Sequence, residues 1–459
     1  MQRNHPHTIY SGASSEQIRE DLEPLVDFQP DGMSLETLNE LIERRLIPHL
    51  VNYDHPAFHS LYNSFPEEGA KFGAEIALKY NQGVTNWQVS PGAVMLEEIC
   101  CKALCQLFSL SPNSDATFFY CGTYANQSAL YLALHWTAEK VGFDFGKKGL
   151  QGFEDPTKLA VITSSDAHFS LKHALRMMGL GEDSFVTIPV DTNRRVNVSL
   201  MEETLCKLKK EKEVFCVIAT AGTTSTGSVD PISPIADLCK DQEIWLHVDA
   251  AYGLAYSLIP DRKPLFEGID QADSITWDPH KQFGVPIPSS LLFVKRSEDL
   301  YRNAIYSDYF NREGDLEPNP GLKSPPTTRP FSALPVVTNI RHHGLNRIIQ
   351  RLQRHIQVTQ KAAFTLKYQS DVETFHEPDL GILCVRVIPK NLPEEKLDQL
   401  QQYIYDKVKS EGKRSISLTT LDEKKVLRFV VLNSTVTVES IMETLASFRT
   451  LAEEFQKEP

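Results

Sequence analysis

Short apolar runs alternate with longer amphipathic stretches through residues 97–300. Four runs have the length of strands and are continuously apolar: residues 160–163, 185–188, 215–218 and 244–248. Continuous apolar runs are typical of strands that are covered on both faces. Helix-like segments lie between them, for example residues 199–212 and 232–241. The pattern therefore predicts repeated strand–helix–strand units and a mainly parallel sheet.

The regions on either side of this central pattern differ from it. Residues 1–55 carry helical patterns, and residues 315–335 are dense in Pro and Gly, which indicates a loop or hinge. A long helical stretch over 337–368 follows, and then shorter strand-like and helix-like segments. We predict an N-terminal helical arm up to residue 55, a large domain over 56–335 and a small C-terminal α/β domain over 336–459.

Composition narrows the class of protein. The 459 residues are 41% hydrophobic and 23% charged, as in an ordinary globular protein. The net charge of -13 gives no overall basic footprint for nucleic acid, and no apolar run reaches the length of about 18 residues that a membrane span needs. The polar start lacks the apolar region of a secretory signal, so we expect a cytoplasmic protein with neither nucleic acid nor membrane as partner. The eight cysteines are expected to be free thiols, mostly buried, and their spacing predicts no metal site.

Two segments carry the clearest chemical signals. In the first, an apolar strand ends in Asp249 and is followed by two small residues and a Gly; in the second, a strand runs into a Pro turn that presents Lys281. A lysine at the mouth of a buried pocket can form a Schiff base with a carbonyl, and an acid that keeps a pyridine nitrogen protonated makes such chemistry useful. Asp249 alone is also compatible with a metal ligand, a helix cap or a buried ion pair.

Three weaker signals accompany these two. Gly122 and Thr123 open an apolar helix, where backbone N–H groups can bind a phosphate, although a simple capped helix has the same pattern. The spacing matches neither a P-loop nor a dinucleotide fingerprint. His168 follows the strand at 160–163, and a loop rich in hydroxyls begins at Thr220. Since carboxyl ends of parallel strands meet at one edge, these groups are predicted to converge there.

At these residues the sequence resembles the pyridoxal-phosphate-dependent group II amino-acid decarboxylases, which include glutamate, cysteine-sulfinate, aromatic-amino-acid and diaminobutyrate decarboxylases. The resemblance covers about residues 50–450 and includes ATAGTTSTGSVDP, LHVDAAYG and WDPHK in this order. It implies a fold-type I α/β enzyme, with a mainly parallel seven-stranded sheet in the large domain and a small C-terminal α/β domain. It also implies pyridoxal phosphate as cofactor, an amino acid as substrate and a homodimer with active sites at the interface.

The resemblance assigns roles around the cofactor position by position. Lys281 is similar to the Schiff-base lysine, and Asp249 to the acid that pairs with the pyridine nitrogen. His168 is expected to stack on one ring face with Ala251 on the other, and Thr220 to lie near the ring hydroxyl. The residues expected to hold the phosphate are Gly122, Thr123, His280 and Asp278.

Other assignments concern the substrate. Tyr309 falls where the family carries a loop tyrosine that protonates the substrate carbon, with Tyr306 as the alternative. Arg428 matches an arginine that contacts a substrate carboxylate, and Asn86 and Gln88 lie in the expected pocket stretch. With Lys281, His168 and Asp249, Tyr309 completes the predicted catalytic set.

The substrate and the outcome of the reaction stay open at this point. Residues 219–295 resemble the glutamate and cysteine-sulfinate branch more than the aromatic one, which favours a small acidic L-amino acid, but no second cation for such a side chain is evident. An aromatic or other polar amino acid is the alternative. The same cofactor also supports oxidative deamination to an aldehyde or carbon–carbon lyase chemistry, and a catalytically silent cofactor-binding scaffold is the non-enzyme alternative.

Overall fold

The computed structural model of the protein describes residues 8–457 apart from 309–311, 313 and 315–316. Its described residues form two compact units. The larger unit comprises residues 64–356 and 378–380, and the smaller unit comprises the described parts of residues 1–63, 357–377 and 381–459. The boundaries after residues 55 and 335 stay a prediction.

The elements are numbered in chain order. The described α-helices are α1 (Ser15–Leu22), α2 (Leu35–Arg45), α3 (Glu68–Tyr80), α4 (Pro91–Leu107), α5 (Gly122–Lys140), α6 (Phe145–Lys148), α7 (Ser170–Met177), α8 (Val198–Leu208), α9 (Ile232–Gln242), α10 (Ala333–His343), α11 (Leu345–Leu366), α12 (Glu394–Glu411) and α13 (Val438–Phe455). The described strands are β1 (Asp115–Phe119), β2 (Leu159–Ser164), β3 (Phe185–Ile188), β4 (Glu213–Thr220), β5 (Trp245–Asp249), β6 (Ser274–Trp277), β7 (Ser290–Val294), β8 (Val372–Thr374), β9 (Ile382–Val387), β10 (Ser417–Leu421) and β11 (Lys424–Val430). Each helix within the described residues falls short of the length and apolarity that crossing a membrane requires.

The larger unit is built on a mainly parallel sheet, as predicted. In the described part of the chain it has seven strands in the order β1–β7–β6–β5–β4–β2–β3. Strands β6, β5, β4, β2 and β3 run parallel, whereas β7 is antiparallel to both of its neighbours. The four predicted strands are confirmed as β2, β3, β4 and β5.

The central strands are buried because helices cover the sheet. Every residue of β2 and β5 is buried, as are the last six residues of β4. Helix α5 supplies a large part of the core with Leu130, Leu132 and Leu134, which pack in one cluster with side chains of β2, β4 and β5. Burial of each such leucine contributes about 1.5–3 kcal/mol, so the sheet and α5 fix the positions of the strand ends.

Two loops approach each other closely at the carboxyl ends of β4 and β5. A Cβ atom on Gly253 would lie 2.0 Å from the carbonyl oxygen of Ala221, so only glycine fits there. Gly222 has φ +100°, a left-handed conformation that favours glycine. The glycines in these two loops therefore allow the polar segments after β4 and β5 to come together.

The smaller unit contains an antiparallel sheet in the order β10–β11–β9–β8. Its core joins residues of α11, α12 and α13 to the inner face of this sheet, including Leu400, Leu427 and Phe448. The helical stretch predicted over 337–368 is divided: α10 ends before Gly344, whose φ is +73°, and α11 begins after it. The fold class is confirmed as α/β with a large, mainly parallel sheet and a small α/β unit.

Candidate active site

The predicted polar residues meet at the carboxyl edge of the large sheet. Thr220 at the end of β4 is in register with Asp249 at the end of β5, and Asp249 is in register with Thr276 of β6. The N–H of Asp278 donates to the carbonyl of Ala251 at 3.0 Å, which ties the segments after β5 and β6 together. Parallel strands thus place Thr220, Asp249 and the segment leading to Lys281 side by side.

The carboxylate of Asp249 is buried and held from two sides. Asn126 Nδ2 of α5 donates to its Oδ2 at 2.9 Å, and the Ala251 N–H donates to its Oδ1 at 3.2 Å. Each oxygen keeps a further lone pair for another donor. This arrangement suits an ionised acid that faces a protonated ring nitrogen.

Lys281 lies in a turn that its neighbours stabilise. Its Nζ is 3.1 Å from Asp278 Oδ2, and Ser64 Oγ donates to its backbone carbonyl at 2.6 Å. Ser290 Oγ donates to the other oxygen of Asp278, and His280 Nδ1 contacts the carbonyl of Ser289. The lysine is therefore oriented by a buried carboxylate, while its own side chain stays partly exposed.

His168 shows that the charged groups converge. Burial lowers the pKa of His168, while the charges of Asp249 and Asp278 raise it and that of Lys281 lowers it. Hydrogen bonds support the same grouping, because Asn126 Nδ2 lies 2.9 Å from Asp249 Oδ2 and 3.1 Å from the Oγ of Ser170, the residue that contacts His168. His168 Nδ1 is 2.8 Å from Ser170 Oγ. Burial also lowers the pKa of His280, opposed by Asp278.

The start of α5 supplies an anion-binding element. The N–H groups of Gly122 and Thr123 lie in the first turn, where an α-helix has no partners for them and carries a partial positive charge. A Cβ atom on Gly122 would lie 2.8 Å from Asp278 Oδ2, so a side chain there would collide with the Asp278 carboxylate. Glycine thus leaves the helix start open beside the segment that carries Asp278 and Lys281. The direct contact of Asp278 with a phosphate stays a prediction, because the described partners of its carboxylate are Lys281, Ser290 and His280.

The set of donors fits pyridoxal phosphate. Thr220 Oγ1 is buried and has no hydrogen-bond partner among the residues that the structure describes, and its N–H donates to Asp230 Oδ2 at 2.8 Å, which fixes the residue. Each group of the cofactor has a counterpart here. The Thr220 hydroxyl suits the ring hydroxyl, the Asp249 carboxylate suits the basic ring nitrogen, and the His168 imidazole suits the flat face of the ring. The Lys281 amine suits the aldehyde, and the start of α5 suits the phosphate. The residues present therefore fit the group that the sequence predicts.

Other predicted residues are not brought into this group by the contacts that the structure shows. Asn86 is buried and its Oδ1 accepts from the Val89 N–H at 3.1 Å, whereas Gln88 is exposed. Arg428 belongs to the smaller unit, where its Nη2 is 3.2 Å from Ser417 Oγ and its guanidinium lies over the Tyr62 ring. Tyr309 lies outside the described residues, and its alternative Tyr306 is 49% exposed. The roles of these residues stay predictions.

Two residues near the acid were not predicted as site residues. Asn126 donates to Asp249, and His247 Nε2 lies 3.1 Å from Asn126 Oδ1. Asn126 interrupts the apolar face of α5, and His247 is a polar residue inside the apolar run of β5, so both are buried polar residues in otherwise apolar elements. That kind of interruption is the signal that could have identified them.

A mainly parallel sheet whose carboxyl edge gathers a lysine, an acid, an imidazole and a helix start defines an α/β enzyme of the pyridoxal-phosphate-binding class. The pyridoxal-dependent decarboxylase conserved domain matches residues 17–388. The chain therefore belongs to the pyridoxal-dependent decarboxylase family, which confirms the predicted cofactor and the predicted carboxy-lyase class.

Individual relatives agree with this assignment. L-2,4-diaminobutyrate decarboxylase of Acinetobacter baumannii is 31% identical over 462 residues, covering 97% of this chain and 89% of the relative. Aromatic-L-amino-acid decarboxylase of Bacillus atrophaeus is 27% identical, covering 98% and 93%. The solved glutamate decarboxylase domain of diaminobutyrate-pyruvate transaminase and L-2,4-diaminobutyrate decarboxylase from Vibrio parahaemolyticus has a TM-score of 0.87 and 25% identity, covering 97% of this chain and 91% of that chain.

Proposed function

We propose that the protein releases carbon dioxide from a short, polar L-amino acid, with L-2,4-diaminobutyrate as the first candidate. The placement of Asp249, His168 and Lys281 at one edge of the large sheet is the observation that carries the proposal. Asn126 and Ser170 link Asp249 to His168, and Asp278 contacts both Ala251 and Lys281. Pyridoxal phosphate, when bound, supplies the electron sink that takes up the electrons of the broken carbon–carboxylate bond.

The residues of this chain would bind and orient the cofactor from several sides. Lys281 would hold it through Nζ, and the N–H groups of Gly122 and Thr123, with His280, would hold its phosphate. Asp249 would keep a proton on its ring nitrogen, and the Thr220 hydroxyl would donate to its ring oxygen. His168 and Ala251 would enclose the ring and exclude water, which favours loss of a charged carboxylate as neutral carbon dioxide.

The choice of diaminobutyrate rests on the 31% identity with the Acinetobacter relative over 462 residues. A small acidic amino acid, favoured from residues 219–295, is the second candidate because the acidic amino acid decarboxylase GADL1 of Homo sapiens is 28% identical over 386 residues.

A panel of L-amino acids tests the proposal. Purified protein loaded with pyridoxal phosphate is offered L-2,4-diaminobutyrate, L-glutamate, L-aspartate, cysteine sulfinate, L-tyrosine and L-tryptophan, and carbon dioxide, amine, aldehyde and peroxide are measured. We expect equal amounts of carbon dioxide and 1,3-diaminopropane from the first, and none from the Lys281→Ala variant. Aldehyde with peroxide would show oxidative deamination instead, and no carbon dioxide from any substrate would contradict the proposal.

We also propose a homodimer in the cytoplasm. Large apolar side chains are exposed directly beside predicted cofactor residues: Tyr124 follows Thr123 and is 51% exposed, and Phe169 follows His168 and is 72% exposed. We infer that these side chains contribute to one apolar patch, since contiguous patches of this kind are typical of association sites. All eight cysteines lie in the described residues, where none of them forms a disulfide, and this supports a reducing compartment. Light scattering should give twice the chain mass, and Phe169→Asp should shift it toward the monomer.

A further inference from the structure

A chain of hydrogen bonds leads from the core of the sheet to the two groups predicted to face the cofactor ring. It begins at Trp245, whose indole Nε1–H can only donate and lies 2.9 Å from Ser274 Oγ. Ser274 Oγ is also 2.9 Å from His247 Nδ1. Because the serine oxygen already accepts from Trp245, its own proton is available for His247 Nδ1.

His247 is fully buried, and burial lowers its pKa to about 4, although the charge of Asp249 and a backbone hydrogen bond at Ser274 raise it. Because a carboxylate oxygen can only accept, Asn126 Nδ2 donates to Asp249 Oδ2 at 2.9 Å, which leaves Asn126 Oδ1 facing His247 Nε2. A neutral His247 therefore carries its proton on Nε2. The Nε2–H donates to Asn126 Oδ1 at 3.1 Å. This bond agrees with the orientation of the Asn126 amide that the Asp249 carboxylate requires.

The amide nitrogen of Asn126 then has two acceptors. Its Nδ2 lies 2.9 Å from Asp249 Oδ2 and 3.1 Å from Ser170 Oγ, one for each hydrogen. The opposite orientation of the amide would place Oδ1 against Asp249 Oδ2, two acceptors at hydrogen-bond distance, and would leave the His247 Nε2–H facing a donor. The whole network permits one orientation only.

The last bond fixes His168. The Ser170 N–H donates to His168 Nδ1 at 3.3 Å, so Nδ1 is an acceptor, and Ser170 Oγ, which accepts from Asn126, donates its proton to the same Nδ1 at 2.8 Å. A neutral imidazole that accepts at Nδ1 carries its proton on Nε2. The direction of each bond in the network is thus assigned, from Trp245 to His168.

We propose that Asn126 and His247 are positioning residues that hold Asp249 as a fixed hydrogen-bond acceptor and His168 as the tautomer protonated on Nε2. The inference rests on the proposed roles of Asp249 and His168 toward the cofactor. Asn126 acts on both at once, because its two amide hydrogens go to Asp249 and to Ser170. His247 sets the direction of the network through Asn126.

The first test is Asn126→Leu, which keeps the approximate side-chain size and removes both donors. We expect the dissociation constant for pyridoxal phosphate, measured by absorbance titration of the apoprotein, to rise about 10- to 100-fold, the effect of losing a hydrogen bond to a charged group. We expect kcat to fall more than KM rises. Asn303→Leu is the matched control, because Asn303 is a buried asparagine of the same unit that bonds to Ser128 and to backbone carbonyls outside the network. Its Tm should fall while its cofactor affinity stays unchanged.

The second test uses pH and does not depend on the leucine variant folding. In Asn126→Asp the new carboxyl can donate to Asp249 only when it is protonated, and it repels Asp249 when it is ionised. The ratio of its cofactor dissociation constant to that of the unchanged protein should therefore be near one at acid pH and rise with pH. A ratio that does not change with pH would overturn the inference.

The third test concerns His247. Gln in its place keeps an N–H donor toward Asn126 and an acceptor toward Ser274, whereas Leu keeps neither, so His247→Gln should retain more cofactor affinity than His247→Leu. Equal affinity in the two variants would contradict the positioning role. Asp249→Ala distinguishes the proposed role of Asp249 from the positioning role of Asn126. Unchanged cofactor affinity and kcat in Asp249→Ala would contradict the role of Asp249 itself. If Asp249→Ala is impaired and Asn126→Leu is not, only the positioning role is contradicted.

Discussion

Replacing Asp249 by Asn is the sharpest test of how the site works. The new side chain has the same shape, and the two donors that hold the carboxylate, Asn126 Nδ2 and the Ala251 N–H, stay in place. An amide offers one oxygen where the carboxylate offers two, so one of these donors would face an N–H group. The variant should fold and still bind pyridoxal phosphate through Lys281, but it lacks the negative charge toward the ring nitrogen.

The size of the effect follows from the burial of the acid, which is 5% exposed. Removing one partner of a buried ion pair costs about 3–5 kcal/mol. If that interaction is made in the transition state for carbon dioxide loss, kcat should fall by about two to four orders of magnitude, at about 1.4 kcal/mol for each factor of ten.

The assay is carbon dioxide release at saturating cofactor and substrate, with bound cofactor counted by absorbance. Asp273→Asn is the matched control: Asp273 is an acid at the opposite edge of the same sheet, where it accepts from the Leu246 N–H at 2.9 Å. The control should lose stability but keep kcat per bound cofactor. Near-normal turnover in Asp249→Asn, or an equal loss in the control, would refute the reasoning.

Three further predictions follow. Borohydride reduction and mass spectrometry should label one lysine, Lys281, and Lys281→Ala should show no label because no other amine would take its place. Tyr309→Phe should keep cofactor binding and divert product from amine to aldehyde. Tyr306→Phe should bind the cofactor and still form amine. An unchanged amine yield in Tyr309→Phe would place the proton donor elsewhere. Burial lowers the pKa of His355 to about 3. Below about pH 6.5 His355 is protonated in the unfolded chain but stays neutral in the folded chain. The free energy of unfolding therefore decreases as the pH is lowered, and the part due to this histidine is about 2 kcal/mol at about pH 5. In urea unfolding, the free energy of unfolding of His355→Gln should fall by about 2 kcal/mol less than that of the unchanged protein between neutral pH and about pH 5. His342 is exposed, and the control His342→Gln should behave as the unchanged protein does.

The sequence predicted the parallel core of the fold because short local segments carry the pattern of that core. Strand β2 was predicted over 160–163 and is found at Leu159–Ser164, since a continuous apolar run between turn residues has few other stable forms. The residues of β7 do not by themselves indicate where that strand lies in the sheet. Its antiparallel pairing with β1 and β6 is decided by long-range contacts that no local pattern contains.

In the site, too, local sequence patterns predicted some residues, whereas long-range contacts determine the others. Asp249 and Lys281 follow from strand ends, where local sequence and topology together indicate function. Asn126 was missed because its partner is 123 positions away along the chain, and a polar residue within an apolar helix gives no sign of what it bonds to. The direction of its amide depends on His247 and Ser274, which only the packed sheet brings together.

A crystal structure of the protein grown with pyridoxal phosphate tests the central claim most directly. The account predicts electron density continuous with Lys281 Nζ, with the ring nitrogen about 2.7–2.9 Å from Asp249 Oδ1 or Oδ2 and the phosphate on the N–H groups of Gly122 and Thr123. A cofactor bound elsewhere, or a ring whose nitrogen points away from Asp249, would contradict it.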